Sequence, residues 1–74
     1  MSEDINKKLL IVASNIRIIR KNKRKSQTQV AKKLKISQYA YCKMELGKTK
    51  ITLITLLTIA KYFEVDIAAM LITN

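Results

Sequence analysis

Seventy-four residues hold one domain at most, and a chain this short buries only about 60% of the surface its unfolded form exposes. Hydrophobic residues are 49% and charged residues 27%, a balance that suits a globular chain and not a disordered one. The absence of histidine and the single cysteine exclude imidazole catalysis, His–metal sites, internal disulfides and cysteine-rich metal clusters.

The first apolar stripe is Ile5, Leu9, Val12, Ile16 and Ile19, at spacings of 4, 3, 4 and 3. It predicts a helix over residues 4–22. At about 100° per residue, Arg20 falls beside that stripe and faces the edge of the core. The polar run at 21–25 ends the pattern. Ser26 is an N-cap candidate, and Val30, Ala31 and Leu34 give a short apolar face behind it. Ser37 is a second cap, for a helix over residues 38–46 that Gly47 can end in the left-handed conformation. Thr52 caps a fourth helix with the stripe Leu53, Leu56, Leu57, Ala60 and Phe63. Asp66 caps a fifth over residues 67–72. The fold class is therefore all-α, a single five-helix domain over residues 1–74. The longest uncharged stretch near the end, residues 51–60, is ten residues where a membrane span needs about 20.

The third helix is the informative one. Measured around the helix from Gln38, Cys42 lies at roughly 40°, Tyr39 at roughly 100° and Lys43 at roughly 140°. Ala40, Met44 and Tyr41 lie on the other side, and that side belongs in the core. Glu45 lies at roughly 340°, at the edge of the buried side. The first face carries hydrogen-bonding side chains.

Charge is concentrated around this helix. The formal net charge is +10, and residues 17–50 carry twelve basic residues and one acid, Glu45. A folded chain with such a patch usually has a polyanionic partner. Two short helices joined by a tight turn inside a basic patch form a helix-turn-helix, with the second helix sized for the DNA major groove.

Ser26-Gln27-Thr28-Gln29-Val30-Ala31, then Leu34, Ile36-Ser37-Gln38, and Lys43-Met44-Glu45-Leu46-Gly47-Lys48-Thr49 resemble the phage-repressor-like (Cro-like, or XRE) helix-turn-helix family. So does Leu-Leu-Thr-Ile-Ala-Lys-Tyr-Phe at 56–63. The likeness runs over about residues 15–71. It implies a compact, lambda-repressor-like five-helix domain whose second and third helices form the motif. It implies double-stranded DNA as partner, and a homodimer on a palindromic site. By position, Gln38, Tyr39 and Lys43 would meet base edges. Gln27, Lys48, Thr49 and Lys50 would meet phosphates. Arg20 and Glu45 would form a structural ion pair. Gly is common in such sequences at the positions of Arg24, Lys35 and Glu64, where this chain has none.

The expected function is a sequence-specific transcriptional regulator, a repressor acting by occupancy. An antitoxin or a restriction–modification controller would share the same DNA face. A more remote alternative is a cationic helical module for a protein or an anionic membrane surface. No catalysis, metal, cofactor, ligand pocket or membrane partner is expected, and the expected setting is the cytoplasm, on the nucleoid. Ile67, Met70, Leu71 and Ile72 are the expected dimer interface. Cys42 stands on the groove face, either as a small residue permitting close approach or as a redox-sensing thiol.

Overall fold

The computed structural model describes residues 2–72 and forms five helices among them: α1 (Ser2–Asn22), α2 (Gln27–Leu34), α3 (Gln38–Glu45), α4 (Leu53–Phe63) and α5 (Ala68–Leu71). No strand occurs among the described residues.

Helices α2, α3 and α4 each start on a side-chain cap, whereas the N-cap of α5 is Ile67, not Asp66, and makes no side-chain cap bond. Ser26 accepts from the Gln29 N–H at 3.1 Å while the Gln29 side chain accepts from the Ser26 N–H at 2.8 Å, a reciprocal capping box. Ser37 accepts from the Ala40 N–H at 3.0 Å, and Thr52 from the Thr55 N–H at 3.1 Å. Asp66 accepts from the Ala68 N–H at 3.0 Å, and α5 begins one residue later than its sequence suggests and ends one residue earlier.

The helix ends are less ordinary. Arg24, Lys35 and Glu64 all take the left-handed conformation, with φ of 58°, 60° and 57°. Each closes a helix by returning its N–H to a carbonyl in the last turn, as Lys35 does to Lys32 at 3.1 Å. These are the three places where the family resemblance leads one to expect glycine. An L side chain in this conformation costs about 1–2 kcal/mol, so this chain folds against that strain three times. Gly47 has φ of 71°, and a Cβ there would lie 2.5 Å from Leu10 Cδ2. Glycine at Gly47 spares the chain a fourth strained L residue, and the atom nearest the added Cβ is the end of the flexible, exposed Leu10 side chain.

The core gathers Ile16, Val30, Ala31, Tyr41, Met44, Ile59, Ala60, Phe63 and Met70. Three expectations need correction here. Ile5 is 56% exposed because the first turns of α1 run past the packed body. The buried stripe of α4 is Ile59, Ala60 and Phe63 with Leu56 at its margin, so Leu53 and Leu57 stay exposed. The period is helical as expected, but the stripe is narrower and rotated toward Ile59. Met70 is fully buried within the protomer and offers no surface to a partner. Ile67 is half-buried against the same core, while Leu71 and Ile72 are exposed. Among the described residues, no helix is long and apolar enough to cross a membrane.

Candidate nucleic-acid interface

The turn between α2 and α3 sets the geometry. Lys35 ends α2, and the Ile36 N–H reaches back to the Ala31 carbonyl at 3.0 Å. Three residues later α3 begins, close-packed against α2. Tyr41, Met44 and Glu45 turn inward from α3 and are buried. Gln38 and Tyr39 stand on its outer side, Tyr39 being 72% exposed. Lys43 and Cys42 are half-buried beside them, and Cys42 is a free thiol. Ala40 departs from its expected core position. It is exposed, because the first turn of α3 opens on a groove and not on a neighbouring helix.

Two outer residues are coupled. Lys43 Nζ sits 5.2 Å from the centroid of the Tyr39 ring, a cation–π contact along α3. It brings the two side chains together on the surface they share. Beyond α3, Lys48 and Lys50 are exposed and Thr49 is half-buried, in the loop that leads to α4. The Lys48 N–H returns to the Lys43 carbonyl at 3.0 Å, so this loop starts from a fixed position.

The inner side of α3 is held by a buried carboxylate. Glu45 Oε2 accepts from Arg20 Nε at 2.6 Å, and Glu45 Oε1 accepts from Arg20 Nη2 at 3.2 Å. Tyr41 Oη donates to Glu45 Oε2 at 2.5 Å, and Gln27 Nε2 donates to Glu45 Oε1 at 3.1 Å. Arg20 Nη1 also donates to the Lys25 carbonyl at 2.8 Å. Arg20 is 8% exposed and Glu45 5%, so both ions are largely out of water. No buried side-chain polar atom among the described residues lacks a partner.

The charge states follow from this arrangement. Burial alone would raise the Glu45 pKa, but the donors Arg20, Tyr41 and Gln27 outweigh it and hold the carboxyl below its usual 4.5. The hydrogen bond to Glu45 raises the Arg20 pKa further above its ordinary value. Burial first, then the carboxylate, pushes the Tyr41 hydroxyl well above its usual range, so it stays protonated and donates. Helix α1, the first turn of α2 and the far end of α3 are thus joined at one point.

Arg20 and Glu45 are brought together, and Gln38, Tyr39 and Lys43 share one side of α3. Gln27 points one amide N–H at Glu45, which leaves its second amide hydrogen for another acceptor. Tyr41 and Asn15 are polar participants that reading the sequence missed. Tyr41 stands four residues before Glu45, a spacing that puts both on one helix face, and that was the available signal. Asn15 has no such signal; its amide donates to the Met70 and Ile72 carbonyls, 55 and 57 residues away, at 2.9 and 2.8 Å. Among the described residues no group of three or more metal-ligating side chains occurs.

A family model described as helix-turn-helix matches residues 16–70. No curated protein and no solved structure matches the chain. The matched span takes in the Arg20–Glu45 network, the three capped helices α2, α3 and α4 and the loop between α3 and α4. It leaves out the first turns of α1.

Proposed function

Since this chain belongs to the Cro/XRE-like helix-turn-helix DNA-binding family, we propose that it is a sequence-specific transcriptional repressor. It reads an operator with α3 and acts by occupancy. The observation that carries this reading is the two-sidedness of α3. Its inner face is fixed by a carboxylate that holds Arg20, Tyr41 and Gln27, while Tyr39 and Lys43 project from the other side and Gln38 stands exposed at the first turn, about two turns away from Glu45. Such a helix presents side chains to a major groove from a rigid mount.

Each residue then has a chemical role. Gln38 bonds bidentately to an adenine edge, and Lys43 donates to a guanine edge. Tyr39 packs on a thymine methyl. Gln27, already steered by Glu45, gives its free amide hydrogen to a phosphate. Lys48, Thr49 and Lys50 hold the backbone on the far side and set the register. The free N–H groups and partial positive charge at the start of α2 and α3 favour the same phosphates.

Two protomers on a two-fold site place their reading helices about 34 Å apart. Exposed Leu71 and Ile72 are the proposed contact between them. Leu71 sits beside Ile11 and Val12 at a cleft of about 290 Å³, which gives the partner's side chains a seat. Sedimentation at rising concentration reads this directly, and Leu71→Asp is expected to shift the protein toward monomer.

The test of function is a random-sequence DNA selection with the purified protein at physiological and raised salt. The expected product is an enriched palindrome whose preferred bases change at defined positions with Gln38→Ala and Lys43→Ala. Salt-sensitive binding with no enriched sequence would reduce the reading to a basic surface.

A further inference from the structure

Between α3, the end of α2 and the start of α4 runs an open groove of about 610 Å³. No pocket of this size was expected from the chain's length. Its floor is apolar: Leu34, Ile36, Ala40, Met44 and Ile54 contribute to it. Its rim is basic, with Lys33, Lys35, Lys43 and Lys50 around the opening. Ile54 on α4 is 77% exposed and Ile36 in the turn 39%, so this apolar surface is uncovered in the protomer. Tyr39 and Lys43 belong to the groove and also to the outer side of α3.

We propose that this groove docks an acidic amphipathic helix of a partner protein, and that docking displaces DNA. The proposal rests on the DNA reading given above for the competition, but not for the docking itself. Charge complementarity selects the occupant. Four lysines spaced along a rim call for several carboxylates, whereas a fatty acid brings one. A phosphate backbone would satisfy the lysines and leave the apolar floor unfilled. A helix with one apolar stripe and acidic flanks satisfies both. A second copy of this chain is a poor occupant, since its five acids are scattered, Glu45 is buried, and among its described residues no helix carries both an apolar stripe and acidic flanks. Because Tyr39, Lys43, Thr49 and Lys50 are common to both surfaces, the partner and the operator compete for them.

The experiment uses the full chain and a labelled helical peptide of about 14 residues, with leucines in one stripe and glutamates elsewhere. A peptide of the same composition with the stripe scrambled is the control, and laurate is the single-carboxylate probe. Binding is read first without DNA, by fluorescence anisotropy and by the methyl signals of Ala40 and Ile54. The striped peptide is expected to bind and to shift those methyls. Ile54→Gln, at an exposed position that leaves melting unchanged, is expected to weaken it about tenfold, the value of one such side chain removed from water. The striped peptide is then expected to release the chain from its selected duplex, while the scrambled one does not.

Equal binding by the scrambled peptide would overturn the proposal, because charge alone would explain it. Laurate shifting the methyls where the peptide does not would assign the groove to a small amphiphile instead. Peptide and duplex bound together would remove the competition. Failure to enrich any operator would count against the DNA reading alone, since the docking arm is measured without DNA.

Discussion

Helix α1 sends two polar side chains into the interior, and they are held on different terms. Arg20 carries a charge and meets Glu45 through two contacts of 2.6 and 3.2 Å, with the Lys25 carbonyl taking a third donor at 2.8 Å. Asn15 is neutral and meets only two backbone carbonyls, those of Met70 and Ile72. The first tie runs to α3, the second to the α5 end. A charge withdrawn from water demands a counter-charge and a partner for every remaining donor, whereas an amide demands only hydrogen-bond partners. Helix α3, the proposed reading helix, is therefore mounted on the bond whose failure costs more, and the proposed dimer element on the weaker one.

Breaking the stronger tie is the largest expected effect. Glu45→Gln strands the Arg20 guanidinium, and Arg20→Met strands the Glu45 carboxylate. Each is expected to lower unfolding free energy by about 3–5 kcal/mol in denaturant titration. That is a large share of the stability of a domain this small. The double variant should lose less than the sum, because no charge is then left alone. Acid reaches the same bond without mutation. Glu45 has a lowered folded pKa, so its contribution is full above the ordinary value of 4.5 and is lost as pH falls through the folded value. Melting temperature measured downward from pH 6 should fall in that acid range. Glu45→Gln should flatten part of this dependence.

Breaking the weaker tie is the middle effect. Asn15→Leu leaves the Met70 and Ile72 carbonyls without their donor and is expected to cost about 1–3 kcal/mol. It should also loosen the C-terminal segment, visible as faster amide exchange around α5, while the bonded Tyr41 and Leu46 amides of α3 keep theirs. Equal losses from Asn15→Leu and Glu45→Gln would erase the distinction between the two ties.

The smallest effect has the opposite sign. Lys35→Gly relieves the left-handed residue in the turn between α2 and α3 and is expected to stabilise by up to about 1 kcal/mol. Part of the gain is offset by the greater freedom of glycine in the unfolded chain. A loss on thermal unfolding would mean that the Lys35 side chain contributes more than its backbone costs.

Some of this was legible in the residues and some was not. Helix rotation at a fixed angle per residue placed Arg20 and Glu45 each at the edge of its buried face, and the cap residues Ser26, Ser37 and Thr52 marked three helix starts. The left-handed sites were legible only through the family resemblance, which leads one to expect glycine where Arg24, Lys35 and Glu64 stand. Periodicity tells which side of a helix is apolar, but not which neighbour covers it. That is why the apolar pattern points Met70 at a partner although it fills the protomer's own core, and points Ala40 at the core although it borders a groove. Asn15 lies outside any local pattern, because its acceptors are brought to it only by the folded chain. The same limit hid the groove, whose rim and floor come from α2, α3 and α4 together.

The most direct test sets a proposed base contact against a proposed backbone contact on the selected duplex and on a scrambled one, across a salt series. Gln38→Ala should lose affinity for the selected duplex by about 1–3 kcal/mol, keep its affinity for the scrambled one and leave the salt slope unchanged. Lys48→Ala should weaken both duplexes alike and reduce the salt slope by about one. If both substitutions weaken both duplexes equally, α3 does not read sequence, and the chain binds DNA through its charge alone.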